Sequence, residues 1–260
     1  MPGLAEATVL LFRTQIARVW WSRRTLACLA LACAPPAMAW IVAHVAKRAP
    51  PAAIATHLGW FLLVQIVTPI CALVCGSAVV TEEIEDRTIT YLFSRPIPRA
   101  AVLLGRWLAS LAVVSVLLGL SAVLTTAFAG SSTAAGAPID AGITAPLVSA
   151  ALLGGAVYSA LFAATGVFFR HAMIAGLAYA FAIEGFLANL PGRNQALTIQ
   201  YYLRSVIATT GSPEWRHLQG FSGSNFDTLR AATTTLAVVL VLVLAIASWR
   251  ISRKEYVLSA

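Results

Sequence analysis

The chain has 260 residues, of which 59% are hydrophobic and only 11% are charged, whereas an ordinary soluble domain has about 25% charged residues. This balance excludes a soluble globular protein and indicates an integral membrane protein. The net charge of +8 does not predict nucleic-acid binding, because the cations lie in short segments between apolar runs and form no basic stripe interleaved with aromatic residues.

Residues 1–24 are predicted to form a cytoplasmic interfacial helix. Residues 9–20 place apolar side chains on one helical face and polar ones such as Arg18 on the other, which is the pattern of a helix lying along a membrane surface. Trp20 and Trp21 would then lie at headgroup level. The alternative is a plain polar lead-in to the first span. The segment has no small-residue cleavage site, so we expect it to be retained rather than removed as a signal peptide.

Six apolar runs follow, each long enough to cross a hydrocarbon core about 30 Å thick. Backbone polar groups must be paired within hydrocarbon, so these runs are predicted to be helices, and the sequence lacks the alternating pattern of barrel strands. The predicted fold is therefore an all-α integral membrane protein with a six-span transmembrane domain at 25–260. The predicted spans are 25–46, 57–80, 104–129, 143–169, 172–190 and 229–249.

The positions of Arg and Lys predict the orientation. If the N-terminus is cytoplasmic, 12 of the 18 cations lie in cytoplasmic segments and six lie outside, as the positive-inside rule favours. Both termini are therefore expected in the cytoplasm, and the protein is expected in the cell (inner or plasma) membrane.

The loop before the last span and the small residues of the spans are also informative. Residues 191–228 are broken by Gly and Pro and are predicted to fold back as short outer helices. Their apolar stretch at 197–207 is too short to span. Small residues at four-residue spacing let helices approach closely, although an Ala-rich chain also produces such repeats by chance. They are Gly155, Ser159 and Ala163, and Ala172, Gly176 and Ala180.

The densest charge cluster, at 81–107, links the second and third predicted spans. Thr81 is predicted to cap a helix over about 82–94 whose first turn is acidic, as the helix dipole favours, and Pro96 and Pro98 end it. This amphipathic helix is too charged to insert, so we expect it to receive force from a soluble partner at the cytoplasmic face. The alternative is a plain orientation anchor, which would need cations but not acids. The predicted docking residues are Glu82, Glu83, Glu85, Asp86, Arg87, Thr88, Tyr91, Arg95 and Arg99.

This segment resembles the signature of ABC-2-type permeases, in which acidic residues precede Gly-Thr-Leu, Leu-Leu, a Pro-hydrophobic-Ser/Pro-Arg run and Gly-Lys. Arg87 stands where that family often has Gly, and Arg106 where Lys is common. The likeness extends more weakly to the N-terminal helix, the six spans and the enlarged loop before the last span. The matching positions are Glu82, Glu83, Glu85, Thr88, Leu92, Pro96, Arg99 and Gly105.

The resemblance implies the permease subunit of an ABC exporter, built from two permease and two ATPase subunits. The chain has no G-x-x-x-x-G-K-[ST] phosphate loop, so it is not expected to be an enzyme. ATP and Mg²⁺ are expected on the partner ABC ATPase subunit, and no cofactor is expected on this chain. The second permease would be another copy, giving a homodimer, or a related chain. Similar proteins place the path between the second and fifth spans. A non-transporting ATP-driven scaffold or mechanical device in the envelope is the alternative function.

Two polar residues within the spans are candidates for a pathway or gate. Glu184, near the outer end of the fifth span, is the one acid in the predicted spans and has either a structural role at the base of the outer loop or a role in the path. Gln65 either bonds between helices or lines the path. Cys71 and Cys75 share a helical face, and packing is preferred there over a soft metal, so no metal site is predicted. Zinc-protease and nucleophile-elbow motifs are absent from the sequence.

Overall fold

A computed structural model describes residues 4–46, 49–85, 99–132, 140–169, 171–187, 193–218, 221 and 226–253. Within these ranges the chain forms helices and short 3-10 turns and no strand. The helices are α1 (Leu4–Trp20), α2 (Arg23–Val45, with a break at Cys33), α3 (51–85), α4 (Arg99–Ala129), α5 (Ala141–Phe168), α6 (172–187), α7 (Ile199–Thr210) and α8 (Leu229–Arg253).

Five of the described helices are long and apolar enough to cross a membrane, namely α2, α3, α4, α5 and α8. Each coincides with a predicted span. The other predicted span, 172–190, begins with α6, which is apolar but shorter. Residues 188–190 lie outside the described residues, so a six-span count stays a prediction.

Helix α1 crosses the start of α4, and Gly105 allows the crossing. A Cβ added at Gly105 would lie 2.8 Å from the Leu11 Cβ and 2.9 Å from the Thr8 carbonyl oxygen, so a larger residue would push the helices apart. On the side of α1 turned away from α4, Val9 and Leu10 are exposed. An exposed apolar strip on a basic helix fits a helix lying on the bilayer surface, and that placement stays a prediction.

Helix α5 is the centre of the bundle and contacts α3, α4, α6, α7 and α8. Its start is fixed by Asp140, whose side chain accepts a hydrogen bond from the Gly142 N–H at 2.9 Å, a standard N-cap. Tyr158 and Phe162, both fully buried, stack on each other along its length. The packing around α5 therefore sets the positions of the helices at both ends of the bundle.

The small residues predicted to permit close helix contact do lie in contacts. A Cβ added at Gly76 in α3 would lie 2.8 Å from the Ser159 carbonyl oxygen in α5. The Ser159 hydroxyl accepts a hydrogen bond from Trp107 Nε1 at 3.1 Å. Gly155 lies against Leu118 of α4, and Gly176 lies against Leu73 and Phe162. Close packing is therefore confirmed at Gly155, Ser159 and Gly176, and Gly76 is a further close contact that was not predicted.

Helix α3 continues past the predicted membrane boundary, and this corrects one prediction. Thr81 lies inside the helical segment Thr68–Glu85, so Thr81 does not cap a new helix. The prediction equated the end of the apolar run with the end of the helix, but a helix pairs its own backbone and can leave the bilayer without a break. The rest of the predicted 82–94 helix, from residue 86 onward, lies outside the described residues.

The segment predicted to form short outer helices does fold back over the end of the bundle, and the prediction that this end faces outward stays a prediction. It contains the 3-10 turn Arg193–Leu197, the 12-residue helix α7, and a second 3-10 turn, Pro213–His217. Helix α7 contacts α5 and α8, and it is too short to cross a bilayer. Trp215, fully buried, donates a hydrogen bond from Nε1 to the Gly142 carbonyl at 3.4 Å. The segment is therefore a packed cap on the end of the bundle.

Candidate functional site

Glu184 joins α6 to the outer cap. Its side chain is fully buried. One carboxylate oxygen accepts hydrogen bonds from the Ile199 N–H at 2.9 Å and from the Tyr179 hydroxyl at 3.0 Å, and the other accepts from the Gln200 N–H at 3.2 Å. The first amides of a helix lack partners within the helix, and its dipole favours an anion there. Glu184 therefore anchors the N-terminus of α7.

The same helix end has a second cap. Thr198 precedes α7, and its hydroxyl oxygen accepts a hydrogen bond from the Tyr201 N–H at 3.3 Å. Together Glu184 and Thr198 satisfy the first three amides of α7. The hydroxyl of Tyr158 in α5 is buried beside Glu184 and Gln200, but it makes no hydrogen bond to either side chain. Of the two roles predicted for Glu184, the contacts support the structural one.

Gln65 bonds between helices, which is one of the two roles predicted for it. Its Nε2 donates to the Gln200 Oε1 at 3.2 Å. Gln200 is buried in α7, and its backbone N–H is already held by Glu184. The bond therefore ties α3 to the same helix end that Glu184 ties to α6.

Gln65 also lines a cavity of about 190 Å³ between α3, α6 and the start of α7, which we call the outer cavity. Gln65 and Gln200 supply its two polar side chains, and Glu184 does not line it within the described residues. The outer cavity thus has apolar walls and one polar corner, a common character of sites for apolar or amphipathic ligands. Its lining is Gln65, Ile66, Pro69, Ile70, Ala180, Phe181, Gly185 and Gln200.

Both helices beside the outer cavity contain a π-helical segment that contributes residues to its lining. The π segments are Leu58–Val67 in α3 and Tyr179–Leu187 in α6, and the Thr68 hydroxyl donates to the Leu63 carbonyl, five residues back, at 2.9 Å. Pro69 follows the first segment; a proline has no N–H and clashes with the carbonyl four residues earlier, which favours the wider turn. π segments are frequent at functional sites.

Arg204 is a buried cation that sequence reasoning did not single out. It lies in α7, is 4% exposed, and its guanidinium carbon is 5.3 Å from the Trp60 ring and 5.8 Å from the Phe221 ring. Burial lowers the pKa of Arg204, but arginine titrates so high that it stays charged. Because Trp60 belongs to the π segment of α3, this cation–π contact is a further tie between the cap and the wall of the outer cavity.

The predicted docking residues lie at the opposite end of α3. The backbone at Glu82, Glu83 and Glu85 belongs to the last turns of Thr68–Glu85, and Arg99 begins α4. The side chains of these four residues lie outside the described part, as do Asp86, Arg87, Thr88, Tyr91 and Arg95 entirely. One continuous helix thus runs from the predicted docking segment to the π segment at the outer cavity.

Cys71 and Cys75 of α3 lie against a third cysteine, Cys28 of α2. The Cys28 and Cys75 sulfurs are 3.6 Å apart, and the Cys28 and Cys71 sulfurs each lie within 4 Å of the other residue's carbonyl oxygen. All three are buried thiols rather than disulfide partners. This cluster packs α2 against α3.

Comparison with known families agrees with this architecture. The family described as ABC-2 family transporter protein matches residues 14–255, which is nearly the whole chain. The chain belongs to the ABC-2 transporter family. A search of curated proteins found no match. As an ABC-2 permease, the chain is a multi-pass transmembrane component of an ABC transporter, and the family implies association with an ABC ATPase subunit.

The two ends of the ABC-2 permease correspond to two features that the family resemblance led us to expect. The outer cavity lies between the second and fifth predicted spans, where the resemblance placed the path, while residues 82–99 link the second and third. Sequence reasoning missed Gln200 and Arg204 because nothing near them in sequence shows what they contact. Two signals for the region were present: Thr198 ahead of a partly apolar run, which is an N-cap pattern, and Pro69 within a span.

Proposed function

We propose that this ABC-2 permease is the membrane half of an exporter in which ATP hydrolysis on separate ATPase subunits opens a path at the outer cavity. The observation that carries the proposal is α3 itself. Its described helix reaches from Pro51 to Glu85, so one element contains both the acidic end of the docking segment and the π segment beside the outer cavity. A tilt or rotation imposed at residues 82–85 would move Gln65 and its neighbours.

The chemistry of the outer cavity supports an apolar or amphipathic cargo. Six of its eight lining residues have no side-chain hydrogen-bonding group, and the two amides are already bonded to each other. An ion or a sugar would lose its hydrogen bonds to water on entering the outer cavity, and the apolar walls could not replace them. A lipid-like or aromatic molecule with one polar group would lose little on entry.

We further propose that a second permease covers the apolar surface beside the outer cavity. On α6, Ile174, Phe181 and Phe186 are each more than 60% exposed, and on α3 Phe61 and Ile66 are exposed as well. A second copy placed against these faces would enclose the outer cavity between α3 and α6 of both protomers. In this arrangement the complex contains two permeases and two ATPase subunits, both termini are cytoplasmic, and the acids of residues 82–85 meet the ATPase.

The docking step is tested by charge reversal. We expect the triple variant E82K/E83K/E85K to insert normally but to lose copurification with its ATPase subunit and the stimulation of ATP hydrolysis by the permease. E214K is the matched control, because Glu214 is exposed in the outer cap, and it should copurify like wild type. An intact, fully coupled complex in the triple variant would contradict docking at this segment.

A further inference from the structure

A second cavity, which we call the inner cavity, lies at the end of the bundle opposite the outer cavity. It has a volume of about 80 Å³ and lies between α1, the start of α2, α3 and the start of α4. Its position is at the level of the exposed Trp20 and Trp21, which marks the membrane interface. In the orientation proposed above this is the cytoplasmic leaflet. No other part of the inference depends on the proposed function.

Three arginine residues from three different helices line the inner cavity: the exposed Arg18 of α1, the half-buried Arg24 of α2 and the buried Arg106 of α4. Arg106 is 7% exposed, and its Nη1 donates to the Val79 carbonyl at 3.2 Å. All three make other contacts as well. A guanidinium has five N–H donors, so each arginine can hold a protein group and an anion together. No acidic side chain lines the cavity within the described residues.

Ser110 is a second, independent indication of a ligand site. It lies one turn after Arg106 in α4, lines the inner cavity and is 2% exposed, yet its hydroxyl has no hydrogen-bond partner within the described part of the chain. Buried hydroxyls are almost always bonded. Residues four apart share a helical face, so Ser110 and Arg106 present an unused hydroxyl and a cation to the same space.

The size and the donors of the inner cavity select the ligand class. A single water needs about 10–15 Å³ of such volume, so 80 Å³ holds a group of roughly five heavy atoms, which is the size of a phosphate. The planar fork of arginine matches phosphate oxygens in pairs. We propose that the inner cavity binds a phosphate group, supplied by the headgroup of an anionic phospholipid or by a soluble phosphate compound.

The bound phosphate would connect the interfacial helix to the bundle. Arg18 reaches the inner cavity from α1, while Val79 lies only a turn before the acids of residues 82–85. A phosphate group bound there would tie α1 to the start of α4, because Arg18 and Arg106 both line the inner cavity.

The test is native mass spectrometry of the purified protein with phosphatidylglycerol, phosphatidylcholine or inorganic phosphate. Losing one charge-assisted or one hydroxyl hydrogen bond should weaken binding by roughly three- to tenfold or more, so R24Q and S110A should each retain less phosphatidylglycerol than wild type. S110A removes a hydroxyl that has no partner among the described residues, so it should fold normally. R13Q is the matched control, because Arg13 is exposed on α1 and does not line the cavity.

Competition identifies the source of the phosphate group. If inorganic phosphate displaces phosphatidylglycerol from wild type but not from S110A, a soluble phosphate compound occupies the site. If only phosphatidylglycerol binds, the lipid headgroup does. Equal retention of phosphatidylglycerol in wild type, R24Q and S110A, an equal loss in R13Q, or no binding of either phosphatidylglycerol or inorganic phosphate would overturn the proposal.

Discussion

The structural role of Glu184 makes a quantitative prediction for the variant E184A. The substitution removes the acceptor for the Ile199 and Gln200 amides and for the Tyr179 hydroxyl. A buried donor left without a partner costs about 1–3 kcal/mol. If the structure relaxes partly around the two unpaired amides, we expect E184A to lower the free energy of unfolding by about 3 kcal/mol. For a chain of about this length, that corresponds to a fall in Tm of roughly 6–12 °C.

The conservative variant E184Q separates the contributions of the two carboxylate oxygens of Glu184. Glutamine keeps one acceptor oxygen but replaces the other with an NH₂ group, which cannot accept from the Gln200 N–H. We expect a loss about half that of E184A. D140A is a matched control at another helix start, where the cap is exposed, and it should cost only about 1 kcal/mol.

Two measurements on the purified protein check this prediction. Intrinsic tryptophan fluorescence during heating gives Tm, and hydrogen exchange should show faster exchange at residues 199–210 in E184A than in wild type, with little change in α5. If E184A retained both the Tm and the protection of α7, the carboxylate would not anchor this helix, and the pathway role for Glu184 would have to be reconsidered.

Two further substitutions test the packing and the cation–π contact. G76A should lower Tm by several degrees, because its Cβ would lie 2.8 Å from a backbone oxygen of α5. G119A is the control: its Cβ would have its nearest contact at 3.8 Å, so this variant should be neutral or stabilising. Equal Tm values for the two variants would refute the close contact at Gly76. R204K keeps the charge but loses the planar stacking, so it should cost about 1–2 kcal/mol by thermal unfolding, while R216K at an exposed position should cost nothing measurable. No difference between these two arginine variants would show that the aromatic contacts of Arg204 do not stabilise the cap.

Hydropathy predicted the five long spans because bilayer thickness and backbone pairing leave few choices for a long apolar run. It could not predict the π segments, since a run such as Leu58–Val67 has the same composition in either helical form. The single local signal was Pro69. The error at Thr81 has a related cause, because the apolar run ends at the membrane while the helix does not.

The candidate site was only partly predictable. Glu184 and Gln65 stand out as polar groups in apolar runs, and both contribute to the region. Their partners could not be predicted: the amides that Glu184 holds are 15 and 16 residues away, and Gln200 is 135 residues from Gln65. These contacts depend on how the cap folds back over the bundle. The inner cavity depends likewise on the way four separate helices, α1 to α4, come together.

The accessibility of the outer cavity during the ATP cycle tests the central claim most directly. In a cysteine-free background of the assembled complex, Ile66→Cys places a thiol in the outer cavity, and Val241→Cys places one on the exposed apolar face of α8. We expect a membrane-impermeant thiol reagent, added from outside, to modify the thiol at 66 at a rate that differs between the nucleotide-free and ATP-bound states. The thiol at 241 should stay unmodified in lipid. A thiol at 66 that is never modified, or is modified at a rate independent of nucleotide, would contradict an ATP-driven path at this cavity.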